Sequence, residues 1–502
     1  MKNAPYNWLT YGILLLAAVL FVFLFSCTTS PLYEHHPFWF RGDSGIFQEL
    51  GICLLQGGIP YIDLWDHKGP VLWFIQALGI WISPSWGIMA LQSISLSCTL
   101  VLWYKISRLI VKNHGVSIVV ALSGLLFLMA FYERGNLCEE WCLSFISLPI
   151  YLYFRRWKKA QTNQPLYTSL DSFITGLCVG VIAMIRLNNT APIIGFVLWD
   201  FIACIKHKEY KRLWTNIVAI CGGMLIFFAG CALFYLIKAG WNGVYEMIYG
   251  TFIFNFLYFE EKSSLPFLST IQHYILPVAF ILILILLAFK NKKNNTVILP
   301  CLVSFVATIL AIGYCEFWHY TMIFIPLFVV VFGLTIQGKN IVGLIILGFA
   351  LLYSCFVGYE AADHLLFRLR GKTADTEIND GFHRFIKSIP ENERKSIYNN
   401  GLNHMGAGLF ADENIYQCNR IIYASIYYSI HTDISPRLQE YQKTHGIEQL
   451  QPIWVLTQGP KPVAQDKYMQ AHYSLTDSIS GGEFDPIWCW KKNSQLHERD
   501  LY

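Results

Sequence analysis

Charge is what this sequence has least of. Asp, Glu, Lys and Arg make up 14% of its 502 residues, against roughly 25% in a soluble domain. So few charged side chains cannot cover a globular surface, which excludes a soluble enzyme, a disordered chain and a nucleic-acid-binding protein. Gly (36) and Pro (19) hold ordinary shares, so collagen-like and low-complexity segments are excluded as well. The 14 cysteines form no CxxC pair and no Cys/His zinc spacing; most lie in apolar stretches, where a thiol behaves as a small hydrophobe. Cys418 and Cys489 lie in the polar C-terminal part and are open to pairing if that part is extracytoplasmic. No internal repeat is visible, which speaks against a transporter built from inverted repeats.

What the sequence does have is long apolar blocks, with 55% of its residues hydrophobic. A membrane-spanning helix needs about 20 mostly apolar residues. Blocks at 8–27, 85–104, 115–132, 138–154, 172–185, 190–205, 214–237, 271–289, 296–314, 318–336 and 341–358 predict about eleven such helices. The first is longer than the apolar core of a signal peptide and reads as a retained helix. Residues 71–82 are apolar but too short to cross comfortably and read as a helix lying at the interface. The fold class expected is therefore an all-α polytopic membrane domain over 1–358. It is followed by a small α/β domain over 359–502, where polar residues take over. Short apolar runs at 396–398, 453–456 and 487–490 read as strands, and 380–388 as an amphipathic helix.

Basic clusters set the orientation. They fall at Lys105/Arg108/Lys112, Arg155/Arg156/Lys158/Lys159, Lys206/Lys208/Lys211/Arg212, Lys290/Lys292/Lys293 and Lys339. All lie in alternate loops, on the side of Lys2, which the positive-inside rule makes cytoplasmic. The other loops, 28–84, 133–137, 186–189, 238–270 and 315–317, and the C-terminal domain are then extracytoplasmic, in a cell inner (cytoplasmic) membrane.

On that outer face the ionisable residues gather. The first loop holds Arg41 and Asp43, then Asp63, Asp66, His67 and Lys68 in the aromatic-rich stretch GGIPYIDLWDHKGP at 57–70. Asp63 reads equally well as a solvated loop carboxylate. The next loops bring Asn136 with Glu139 and Glu140, then Arg186 and Asn188, then Glu260 and Glu261, and last Glu316, His319 and Tyr320. Each has a plain reading too. An acidic residue suits a helix N-terminus, Arg186 can snorkel to the headgroups, and an aromatic-flanked His is an ordinary interfacial anchor. Two adjacent carboxylates at 139 and 140 must point in different directions, however. Together, carboxylates for proton abstraction and cations for a phosphate are the parts needed to use a phosphorylated lipid.

At Asp43, at 57–70, at 136–140 and at Trp318-His319-Tyr320 with Pro326, the sequence resembles the GT-C glycosyltransferases. The nearest groups are the protein O-mannosyltransferase-like enzymes and the lipid A aminoarabinose transferases. The resemblance covers roughly 8–358. It implies many transmembrane helices, a large first external loop with interfacial helices, and a polyprenyl-phosphate-linked sugar donor. The acceptor would be a glycan, lipid or protein hydroxyl, and the displacement inverting. By this similarity Asp43 is the catalytic base, and Lys68 and Arg186 contact the donor phosphate. Asp66 or His67, with Glu139 or Glu140 and His319, complete the site. A divalent metal cation held among Asp66, His67, Glu139 and His319 would offset the same charge. The alternatives are a transporter or flippase of lipid-linked glycans, which needs charges deep in the spans and on both faces, and a non-catalytic membrane scaffold.

The orientation is checked by a cysteine introduced at Asn403 in a background lacking the native cysteines. An impermeant thiol reagent should label it in spheroplasts; labelling only after lysis would reverse the topology.

Overall fold

A computed structural model of the chain describes residues 5–33, 42–160, 169–257, 274–290, 295–313, 317–371, 376–402, 406–420, 436–462, 467–481 and 484–493. In chain order its helices begin with α1 (Pro5–Phe25), α2 (Gly42–Leu55), α3 (Pro70–Ile82), α4 (Gly87–Ile110), α5 (His114–Phe131) and α6 (Cys138–Ala160). There follow α7 (Ser169–Ala183), α8 (Ala191–Lys206), α9 (Tyr210–Ile248), α10 (Ile275–Lys290), α11 (Asn295–Ile312), α12 (Ile325–Gly338) and α13 (Ile341–Val357). The last are α14 (Tyr359–Leu369), α15 (Glu377–Ser388), α16 (Gly406–Asp412) and α17 (Pro436–Thr444). The strands are β1 (Ile397–Asn399), β2 (Trp454–Gln458), β3 (Tyr473–Gly481) and β4 (Phe484–Lys492). Each of the apolar blocks expected to span falls on a helix. Among the described residues six helical segments are long and apolar enough to cross a membrane, or seven if α13 and α14, bent by 44°, count as one. Helices α3, α7, α10 and α11 are apolar but shorter.

The chain divides into two compact units. The first comprises Met1–Ser26, Met89–Ala232 and Lys262–Phe367, and the second Cys27–Ile88, Leu233–Glu261 and Arg368–Tyr502.

The first unit is a helix bundle around α12, whose residues from Ile325 to Thr335 are all buried. A helix that is apolar on every side belongs in a core. Phe328 stacks on Phe280 at 4.2 Å and meets Phe127, Phe305 and Phe324. Small residues let backbones approach where helices cross: a Cβ at Gly195 of α8 would stand 2.1 Å from the Pro300 carbonyl oxygen of α11. The charges inside this bundle are paired. Arg156 lies 2.5 Å from Asp200 and 3.7 Å from Asp171, which also takes Arg155 at 2.6 Å. Partnered in this way, the charge of each of these buried groups is offset by its neighbour.

The second unit joins residues 27–88 and 233–261 to the C-terminal part. Its sheet has the order β1-β2-β4-β3, with β1 parallel to β2 and the other pairs antiparallel. Alternation along the strands serves both faces. Phe382, Phe385 and Ile386 of α15 pack on Trp454, Leu456, Ile487 and Cys489. Val455, Tyr398, Tyr473 and Trp490 form the core of the opposite face. Cys418 and Cys489 are both free thiols, so the pairing left open by the sequence is not made.

Helix α2 packs against α16 so closely that a Cβ on Gly45 would meet the Gly408 nitrogen at 2.8 Å. One turn further along α2, Glu49 is wholly buried, and its Oε1 accepts the Gln417 backbone N–H at 2.9 Å. Burial pushes this carboxyl up to about 8, so it is protonated at neutral pH. In the unfolded chain it ionises near 4.5. The protonated group therefore contributes stability that is full below that value and is lost as pH rises towards 8, by up to ~1.4 kcal/mol per pH unit. Glu49→Gln keeps the acceptor and cannot ionise. Thermal midpoints between pH 5 and 8 should fall less steeply in this variant than in the parent. Parallel slopes would exclude Glu49 as the titrating group.

Candidate functional site

In the second unit the sequence 57–70 folds into a turn bound mainly to its own backbone. Asp63 is exposed, and its Oδ2 accepts the Ile59 backbone N–H at 2.7 Å, which makes it a turn cap. Tyr61 sits in the left-handed region at φ 69°, and its N–H donates to the Leu64 carbonyl at 2.7 Å. Its hydroxyl crosses the turn to donate to the Lys68 carbonyl and lies 3.0 Å from Thr251 Oγ1. The His67 carbonyl is taken by Asn255 Nδ2 at 2.9 Å. A π-helical turn, Tyr249–Ile253, makes room for Tyr61: a Cβ on Gly250 would stand 2.7 Å from its ring.

So held, the next three side chains are buried one against another. His67 Nε2 lies 2.9 Å from the Lys68 ammonium, and Nδ1 3.1 Å from Asp66 Oδ1. An ammonium can only donate, so Nε2 must accept and the ring proton belongs on Nδ1. The Lys68 ammonium also lies 5.9 Å from the centre of the Phe47 ring of α2. Directly after it comes the N-terminus of α3, with Gly69 at the cap and Pro70 in the first turn. The free N–H groups and dipole of that helix end add to the positive field. Asp43 occupies the first turn of α2 and is half-buried.

In the first unit, Glu139 and Glu140 open α6 and point apart. Glu139 accepts from Arg186 Nη1 at 2.9 Å, and the Arg186 guanidinium lies 3.9 Å from the centre of the Tyr320 ring. Glu140 accepts from Tyr132 at 2.7 Å, from Gln92 at 3.0 Å and from the Asn136 backbone at 2.8 Å, which makes it a packing knot between helices. Asn188 donates to the Ala311 carbonyl at 3.0 Å, near the end of α11. His319 contacts Glu133 twice, through its backbone N–H at 2.9 Å and through Nδ1 at 2.6 Å.

Glu133 went unnoticed in the sequence. It begins a stretch in which four successive residues have positive φ (Glu133 37°, Arg134 75°, Gly135 84°, Asn136 59°). The signal for such a turn is the Gly-Asn dipeptide, since both residues tolerate left-handed backbone. Two further residues were also missed, Glu246 and Arg420, which bind each other at 3.2 Å. Arg41, Glu260, Glu261 and Glu316 lie outside the described residues.

Among the described residues no three His, Cys, Asp or Glu side chains gather as metal ligands. Asp66 and His67 stand in one unit and Glu139 and His319 in the other. Within its own unit His67 faces an ammonium, and Glu139 a guanidinium. Their surroundings do not fit a bound cation.

No protein-family model and no curated protein matches the sequence. Solved structures do. The oligosaccharyltransferase of Archaeoglobus fulgidus, crystallised with zinc and sulfate, superposes with a TM-score of 0.54 at 13% identity, covering 89% of this chain and 68% of its own. ArnT of Cupriavidus metallidurans, bound to undecaprenyl phosphate, gives 0.53 at 11% identity, covering 97% and 98%. Both are GT-C proteins. The fold of this multi-pass membrane chain is therefore that of the GT-C glycosyltransferases.

Proposed function

We propose that the protein is an integral-membrane glycosyltransferase that moves a sugar from a polyprenyl phosphate to a hydroxyl of a glycan, lipid or protein. The transfer takes place on the extracytoplasmic face of the inner membrane, with the N-terminus cytoplasmic and the segment 359–502 extracytoplasmic. The observation that carries this reading is the buried Lys68 ammonium at the start of α3, in a fold shared with a protein crystallised on undecaprenyl phosphate.

The chemistry follows from the parts. The acceptor O–H gives its proton to the Asp43 carboxylate as the oxygen attacks the anomeric carbon. A new C–O bond forms on one face while the bond to the phosphate oxygen breaks on the other, which inverts the configuration. The electron pair of the broken bond leaves on the polyprenyl phosphate. Its charge grows in the transition state, where fixed cations act best. Lys68 supplies one, oriented by His67 and Asp66. The resemblance assigns a second phosphate contact to Arg186, which Glu139 and the Tyr320 ring fix within its own unit. A divalent cation is supported only by the zinc in the archaeal enzyme's structure, and no step is routed through one here.

Incubation with a panel of polyprenyl-phosphate sugars and mass spectrometry of the products tests the activity. Asp43→Asn should slow transfer by about 10²–10⁴-fold, the usual cost of a lost general base, with polyprenyl-phosphate affinity largely intact. Lys68→Ala and Arg186→Ala should weaken that affinity as well as the rate, because charge-assisted contacts to phosphate are roughly twice as strong as neutral ones. Parent-like turnover in the Asp43 variant would remove it from the role of base. Parent-like lipid affinity in both cationic variants would remove the phosphate contacts.

A further inference from the structure

The long helix α9 enters the second unit at Leu233, is broken at Gly240 by a φ of 64° and ψ of −160°, and then carries Glu246. Its carboxylate is wholly buried. Three groups from the C-terminal part meet it there. Arg437 and Tyr441 of α17 hydrogen-bond to Oε1 and Oε2 respectively. Arg420 Nη2 lies 3.2 Å from Oε2, with its guanidinium 3.6 Å from the centre of the Tyr441 ring.

Arg420 also reaches the other way. Its Nε donates to the Tyr61 carbonyl at 3.0 Å, and its own carbonyl accepts the Trp65 N–H at 2.5 Å. It thus grips both ends of the turn from Tyr61 to Trp65. Tyr61, held in left-handed backbone, passes the grip on through its hydroxyl to the Lys68 carbonyl. A guanidinium presents five donors in a fixed plane and can serve Glu246 and Tyr61 together. An ammonium cannot cover the two with the same geometry. The same stretch of chain is also bound to α2, through Gly408 against Gly45 and Gln417 on Glu49. One run of chain, residues 406–420, therefore holds both the helix that opens with Asp43 and the turn that leads to Lys68.

We infer that Arg420, anchored by Glu246, is a positioning residue: it holds the 61–68 turn, and with the rest of 406–420 it fixes Lys68 relative to the Asp43 helix. The inference rests on the reading of Asp43 as base and Lys68 as phosphate ligand. It gives the C-terminal part a role in the transfer itself.

The test uses the full chain in detergent, with Arg420→Gln, Glu246→Gln, Arg420→Lys and Arg437→Gln. Hydrogen exchange needs no substrate. In Arg420→Gln, exchange of the peptide 59–69 should rise at least about tenfold while β4 and α15 exchange as in the parent. Arg437 touches Glu246 without touching the turn, so its variant should deprotect 59–69 less. In transfer assays Arg420→Gln should lower kcat about 10- to 100-fold, the scale of a misplaced reacting group, with Arg420→Lys recovering only part. If Arg420→Gln does not fold, Glu246→Gln, which keeps the side-chain shape, is read in the same way. Unchanged exchange at 59–69 would overturn the brace. Raised exchange with parent kcat and parent polyprenyl-phosphate affinity would overturn the positioning role. A parent protein that transfers no sugar from any donor would instead sink the reading of the function and the catalytic half of this inference, while the exchange result still decides whether Arg420 holds the turn.

Discussion

Glu246 is a carboxylate out of reach of water, and a group of that kind costs several kcal/mol unless opposite charge and hydrogen bonds replace the solvent. Here two guanidiniums and a phenol replace it, all from residues far along the chain. Removing one partner of a buried pair typically costs about 3–5 kcal/mol, because the other charge stays stranded. That asymmetry ties distant pieces of sequence together. Residues 27–88, 233–261 and 368–502 fall in one compact unit, although the composition changes abruptly near residue 359.

The first unit applies the same physics on a smaller scale. Glu139 and Glu140 are chemically identical neighbours with opposite fates. One faces Arg186 and the other is consumed by a phenol, an amide and a backbone N–H. The difference comes from the helix itself, since successive residues diverge by about 100° around its axis. Fully satisfied, the Glu140 network fixes α4, α5 and α6 in register. Glu139 holds its guanidinium against an aromatic ring, which leaves the cation oriented.

Much of this was legible in the sequence because its signals are local. Apolar blocks of membrane length gave the helix positions, and apolar runs gave β1, β2 and β4. Asp66, His67 and Lys68 stood out because they are consecutive and flanked by aromatics. Asp63, three residues earlier, turned out to be a turn cap, a distinction that depends on backbone direction and not on residue type. Strand β3 was missed since Ser474, Thr476, Asp477, Ser478 and Ser480 are exposed and no apolar run marks it. Glu246 and Arg420 were missed for a different reason. Each meets its partners only once the chain has folded, and nothing near either residue in sequence announces them. The apolar block ends at 237, whereas α9 runs on to Ile248 and carries its break at Gly240, whose left-handed φ no sequence signal announced.

The two borders of the four-stranded sheet are built unlike its centre. Strand β1 pairs over only three residues, and β3 exposes polar residues apart from Leu475, with register shifts at Leu475/Asp477 and Ile479/Gly481. Shortness, irregularity and a carboxylate are the means by which a sheet refuses an extra strand from a neighbour. Proteins confined to a membrane meet one another at high local concentration with their faces aligned. A flat apolar border at a common height would invite lateral polymerisation, and these two borders withhold the template for it.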